Sequence, residues 1–177
     1  MKRVMIVGGP GSGKSTLARA LGPLTGLPVF HMDHIHHMPG WVERPKSEKD
    51  RMTREVHGRE AWIFEGGHSR TYAERLARAD TLIWLDLPVT LRLLRVIRRT
   101  LRYRGRSRPD LPEGCPERLN IEMLRFLAYI LRSRRPTRAK IQAMAGAPPP
   151  HVRVVHLTNV RAVDSFLGAL RTSRQRG

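Results

Sequence analysis

The chain is short of cysteine, aromatic residues, acids and long apolar runs. One cysteine, Cys115, in 177 residues excludes an internal disulfide framework and a cysteine-rich zinc centre, and it suits a reducing compartment. No apolar stretch approaches the length that spans a bilayer. The opening run Val4-Met5-Ile6-Val7 is too short for a secretory signal, so a cytoplasmic protein with no membrane partner is expected. No repeat recurs at a solenoid period. Aromatic side chains make up 6% of the chain, which leaves little to stack on nucleic-acid bases. Acids number 15 against 33 Lys plus Arg, and only five of those 33 are lysine.

What is present is therefore arginine. The net charge of +18 predicts polyanionic partners such as nucleotide phosphates, nucleic acid or an anionic surface. Arginine meets phosphate oxygens with a two-pronged fork where lysine is a point charge; a GC-rich genome is the alternative source of the ratio. With 40% hydrophobic residues the chain can bury a core, and its length suits one domain covering 1–177.

Short apolar runs punctuate the chain at 4–7, 28–31, 62–64, 81–85 and 152–157, and read as buried strands. Helical stretches are expected at 15–21 (ended by Gly22 and Pro23), 45–60, 72–78, 89–103, 116–132 and on to 144, and 160–170. Residues 104–116, rich in Gly, Pro and Arg, read as a loop, and 172–177 are expected to fray. Apolar strands alternating with helices indicate an α/β fold with a parallel sheet.

Gly8-Gly9-Pro10-Gly11-Ser12-Gly13-Lys14-Ser15 matches G-x-x-x-x-G-K-[ST], placed after a buried strand and opening a helix. Glycines let successive backbone N–H groups converge on phosphate oxygens at a helix N-terminus. Lys14 is expected to bridge the β- and γ-phosphates of ATP, and Ser15 to offer a hydroxyl to Mg2+. An acid at the end of a hydrophobic strand must help to hold that ion. Glu65 and Asp86 both qualify, and the residues alone leave the choice open. Asp33, at the end of the second run, is placed to orient an acceptor hydroxyl or a water on Mg2+, or to serve as a cap or turn residue. His31, His34, His36 and His37 lack metal-site spacing, so structural or substrate-contact roles are expected over zinc.

Residues 92–138 hold 14 arginines and no lysine against Asp110, Glu113, Glu117 and Glu122. Arg98, Arg99, Arg102, Arg104, Arg106 and Arg108 are crowded enough to repel unless an anion neutralises them. A lid over transferring phosphates is the first reading. A solvated basic face or a nucleic-acid patch are the others, and the scarcity of aromatics disfavours the last.

The segments GGPGSGKST, WIFEGGHSRT, DTLIWLDLP and RYRGRSRPDLPEGCPER together resemble the bacterial DNA topology modulation (FlaR-like) proteins, relatives of adenylate kinases and other nucleoside monophosphate kinases. The resemblance runs from residue 1 to about 170. It implies a P-loop nucleoside monophosphate kinase-like fold, with a five-stranded parallel sheet in the order 2-3-1-4-5 and an arginine-rich helical lid. It implies that Gly8, Gly11, Ser12, Gly13, Lys14, Ser15 and Thr16 form the ATP phosphate loop. Glu65, rather than Asp86, then stands where adenylate kinases have an acid after the third strand. Arg70 stands near a substrate-phosphate arginine, Arg98, Arg102 and Arg106 are the lid candidates, and Asn159 lies near the adenine. The nucleoside-binding hairpin of adenylate kinases has no evident counterpart in 40–60. The expected function is Mg2+·ATP-dependent phosphoryl transfer to a small acceptor, preferably a nucleotide. The alternatives are an ATP-binding nucleic-acid-associated protein and a metabolite kinase of the shikimate or gluconate kind.

Overall fold

Parallel strands buried on both faces need apolar residues at nearly every position, and the runs at 4–7, 62–64 and 81–85 supply them, while the two edge runs are only partly buried. In the computed structural model, which describes residues 1–175, the runs become β1 (Arg3–Gly8), β2 (Val29–His31), β3 (Trp62–Glu65), β4 (Thr81–Leu85) and β5 (Arg153–Leu157). They form one parallel sheet in the order 2-3-1-4-5. Central β1 alternates its side chains between two cores. Val4 and Ile6 pack with Leu17, Ala18 and Leu21, while Met5 and Val7 pack with Trp62, Phe64, Trp84 and Ile141. Parallel alignment brings Gly8, His31, Glu65, Leu85 and Leu157 to one edge, where ligand crevices form in such sheets.

Helices α1 (Lys14–Thr25), α2 (Met32–His36), α3 (Lys46–His57), α4 (Tyr72–Arg78), α5 (Val89–Arg102), α6 (Ile121–Gly146) and α7 (Val160–Gln175) complete the fold. Three expectations are corrected. First, α1 continues through Gly22 and Pro23. Pro23 is exposed, so water can serve the carbonyl that its missing N–H abandons; the helix ends at Gly26, whose N–H bonds Gly22 O at 2.8 Å. Second, α6 starts at Ile121, where Asn120 accepts from the Met123 N–H at 3.2 Å, and it runs unbroken through Pro136. Residues 116–120 belong instead to the preceding loop. Third, α7 reaches Gln175, and Arg174 donates to Pro23 O at 2.6 Å, so 172–175 are helical; 176–177 lie outside the described residues. The sequence also gave no sign of α2, or of the two-residue antiparallel ladder of His37–Met38 with Val42–Glu43.

Candidate active site

The loop from Gly8 to Ser15 joins β1 to α1. Gly11 and Gly13 take φ of 76° and 92°, a left-handed backbone that side chains resist; a Cβ on Gly11 would also lie 2.5 Å from Arg92 O. Ser12 is buried and its hydroxyl has no partner among the described residues. Among the described residues the Lys14 ammonium donates only to Gly9 O, at 3.2 Å, within its own loop. Burial lowers its pKa, while the carboxylates of Glu65 and Asp33 pull it up. Ser15 follows in the first turn of α1 with Thr16, which is exposed.

Of the two candidate acids, Glu65 ends the strand beside β1, opposite Ile6. It is 2% exposed and meets His31 Nδ1 at 2.8 Å. Asp86 points elsewhere: Arg138 Nε lies 3.0 Å and His156 Nε2 3.2 Å from its Oδ2. The carboxylates that act most on Lys14 are those of Glu65 and Asp33, which makes Glu65 the better placed of the two acids. Asp33 sits in α2 rather than on the strand, half exposed, with Arg108 Nη2 3.8 Å away.

The arginines of the segment divide by their place on α5 and in the loop beyond. On α5, Arg92, Arg95 and Arg99 recur on the face that carries buried Val96, and this face meets the loop. Arg92 Nε donates to Pro10 O at 2.9 Å and Arg95 Nη1 to Ser12 O at 3.0 Å. Arg98 and Arg102 fall on the other side and are exposed, as is Arg106 in the loop beyond; Arg102 lies over the Tyr103 ring at 5.8 Å. Helical phase, not local charge density, decides which arginines face the phosphate loop.

Within residues 103–120, Arg108 is 7% exposed and hydrogen-bonds Asp110 at 2.7 Å. Glu117 lies 2.8 Å from its Nε and 3.2 Å from Arg99 Nε, and Arg19 of α1 reaches Asp110 at 3.1 Å. The loop is tied down on the segment after β2 as well. Gly40 N donates to Gly114 O at 2.9 Å, Trp41 Nε1 to Pro116 O at 3.0 Å, and Cys115 Sγ to Met38 O at 3.4 Å. Part of the crowded positive charge is thus neutralised from within by Asp110 and Glu117.

Arg70 is exposed and held by Asp50 at 3.1 Å, and His68 joins the same carboxylate at 2.6 Å. A substrate phosphate would have to compete with Asp50 for it. Asn159 caps α7, its Oδ1 accepting from Ala162 N at 2.9 Å. Of the histidines, His34 contacts Pro109 O at 3.2 Å, and His31 and His34 line a cavity of about 340 Å³ outside β2. Among the described residues no three His, Cys, Asp or Glu are grouped to hold a metal ion. One positioning residue escaped the sequence reading. Arg75, fully buried, donates to Gly66 O at 2.9 Å and lies over Phe64 at 4.0 Å, its pKa lowered by burial to about 10. It fixes the turn that carries Glu65. Its spacing from Tyr72 and Leu76 on α4 was the available signal.

No family model matches the chain, and no curated protein matches it in sequence. Among solved structures, shikimate kinase from Acinetobacter baumannii, in complex with shikimate, aligns with TM-score 0.56 and 19% identity, over 99% of this chain and 95% of that one. Shikimate kinase from Bacteroides thetaiotaomicron aligns with TM-score 0.56 and 20% identity, over 98% of each chain. At such identity the likeness is one of fold. The chain is an α/β protein that shares with these kinases a fold built on a five-stranded parallel sheet flanked by helices. No helix among the described residues is long and apolar enough to cross a membrane.

Proposed function

We propose that the chain is a P-loop phosphotransferase that moves the γ-phosphoryl group of Mg2+·ATP to a small acceptor. The observation that carries this is the Lys14 ammonium, held in a glycine cradle within the field of Glu65 and Asp33 and without an anion of its own. The residues fit a triphosphate: Gly11 and Gly13 turn the loop back on itself, and the buried Ser12 hydroxyl lacks a partner. Ser15 and Glu65 are the groups that would hold Mg2+, which when bound would supply charge neutralisation to the phosphates. Lys14 then binds the phosphate chain, Arg95 and Arg99 approach it from α5, and residues 103–120 exclude water.

Asp33 suits a hydroxyl acceptor, which it can orient or relieve of its proton. That favours a small hydroxylated metabolite over the nucleotide preferred on sequence grounds. Arg70 is already engaged by Asp50, and 46–57 is a single short helix that buries Thr53 and Val56 rather than a hairpin. The nucleoside monophosphate kinase reading, and with it the topology-modulation family, remains the alternative. A screen of hydroxylated metabolites and nucleoside monophosphates for ATP-dependent phosphorylated product, followed by ³¹P NMR, tests both. Turnover that survives Lys14→Ala overturns the proposal. Exposed Arg98, Arg102, Arg104 and Arg106, without ion-pair partners among the described residues, favour one second reading, association with nucleic acid.

A further inference from the structure

A cavity of about 450 Å³ opens between the ends of β4 and β5, the start of α5 and the C-terminal half of α6. It touches the phosphate loop only at Gly9; Lys14, Ser15, Asp33 and Glu65 take no part in its wall. Four guanidiniums line it, those of Arg92, Arg134, Arg135 and Arg138, against one carboxylate, Asp86. That carboxylate is already taken by Arg138 and His156. Arg134 and Arg135 have no ion-pair partner among the described residues. Arg92 is 7% exposed, and its Nη2 is buried with no hydrogen-bond partner. A buried charged donor left without an acceptor is costly, so this atom favours an anion that would accept from it. The rest of the wall is apolar, built from Leu85, Leu87, Pro88, Val89 and Ile141, with the edge of Trp84, whose ring is already stacked on His156 at 4.0 Å.

The geometry points to a second anion site, distinct from the triphosphate cradle, that takes the phosphate group of a small phosphate ester with an apolar body. Guanidinium forks match phosphate oxygens, and together they can neutralise a dianion. The unpartnered Arg92 Nη2 supplies the buried donor, and Leu85, Leu87, Val89 and Ile141 offer the ester an apolar surface that a bare ion cannot use. The volume lies within the range of small-molecule sites. Because Arg92 Nε also holds Pro10 O, the occupant bears on the backbone of the phosphate loop. The inference does not depend on the proposed reaction, since binding here requires no turnover.

The test is calorimetric titration of the full-length Lys14→Ala protein, in which the phosphate loop competes weakly, with phenyl phosphate and with inorganic phosphate. Phenyl phosphate is expected to bind one per chain and several-fold tighter than inorganic phosphate. Arg134→Ser/Arg135→Ser in the same background weakens it about tenfold or more, the loss of at least one charge-assisted contact. Both side chains are exposed, so thermal melting is expected to stay unchanged. Arg153→Ser/Arg171→Ser, an equal charge change elsewhere, leaves binding intact. Equal affinity for the two probes overturns the ester assignment and leaves a site for the free ion. Binding that survives the Arg134/Arg135 change, that falls equally in the control, or that is absent at millimolar ligand overturns the site.

Discussion

Arg108→Met tests whether the loop over the site is held by charge rather than by chance packing. Arg108 is nearly buried and serves three carboxylates: a hydrogen bond to Asp110 at 2.7 Å, a close approach to Glu117 at 2.8 Å that lacks hydrogen-bond alignment, and Asp33 at 3.8 Å. Removing one partner of a buried pair costs about 3–5 kcal/mol when the other charge is left alone. Here neither buried acid is left alone. Asp110 keeps Arg19 at 3.1 Å, and Glu117 keeps Arg99 at 3.2 Å and the Thr100 hydroxyl at 3.1 Å. The loss is therefore one charge-assisted hydrogen bond, about 1.5–3 kcal/mol, plus part of the uncompensated burial, about 3 kcal/mol in all. If it reaches the whole fold, the melting temperature drops by about 6–12 °C. If the loop opens by itself, the drop is smaller, and trypsin instead cuts the arginine-rich segment 102–118 faster. Limited proteolysis and calorimetry run in parallel read both cases. A variant that matches the parent in melting and in cleavage refutes the ionic account of closure.

His57 is buried and its pKa is lowered to about 4, first by burial and then by the Arg75 guanidinium. The unfolded chain therefore binds the proton more readily, so stability is level above about pH 6.5 and falls as the pH drops toward 4, by on the order of 3 kcal/mol. In urea melts across that range His57→Gln should flatten the slope, and an unchanged slope would remove His57 as its source. Arg95→Ala and Arg99→Ala should each lower kcat about 10²-fold, as for other groups that stabilise transition-state charge. Arg98→Ala and Arg102→Ala, at exposed positions, should change stability by no more than about 0.5 kcal/mol and leave kcat near the parent; the reverse ranking sinks the assignment by helical phase. Glu65→Gln keeps shape and removes charge, so the Mg2+ needed for half-maximal rate should rise; an unaltered Mg2+ dependence argues against Glu65 as the acid. If nucleic acid is a partner, log K for duplex DNA should fall by about 0.9 per phosphate contacted for each decade of salt, and no binding near 50 mM salt rejects it.

The sheet was legible because parallel strands covered on both sides cannot tolerate polar residues. Val4-Met5-Ile6-Val7 and Leu82-Ile83-Trp84-Leu85 therefore announce themselves without help from periodicity. The phosphate loop was legible for a related reason: its backbone path demands glycine at Gly11 and Gly13, so function is written as residue identity. Helix ends were less so. Pro23 and Pro136 both stand inside helices, because a proline on an exposed turn loses one hydrogen bond that water replaces. The choice between Glu65 and Asp86 could not be made from strand endings, since both follow apolar runs. It depends on which neighbour reaches each carboxylate, and Arg138, 52 residues from Asp86 in sequence, reaches only one of them.

The arginine-rich segment shows why charge counts mislead and what would have served better. Crowding marked six arginines from Arg98 to Arg108, and the resemblance chose Arg98, Arg102 and Arg106 among them; a long run of like charges mostly solvates itself, and those three are exposed. The arginines that organise the site are the ones given partners: Arg92 and Arg95 by loop carbonyls, Arg99 and Arg108 by acids. Buried guanidiniums need acceptors, so the informative residues in a basic loop are its few acids. Asp110 and Glu117 are buried, whereas Glu113 and Glu122 of the same segment are exposed. An acid close to Gly and Pro within an arginine-rich loop marks where the chain turns inward. Asp110 beside Pro109, and Glu117 after Pro116, carry that mark. Read this way, Arg108 is the residue that joins the loop to Asp33, and its position two residues from Asp110 was in the sequence throughout.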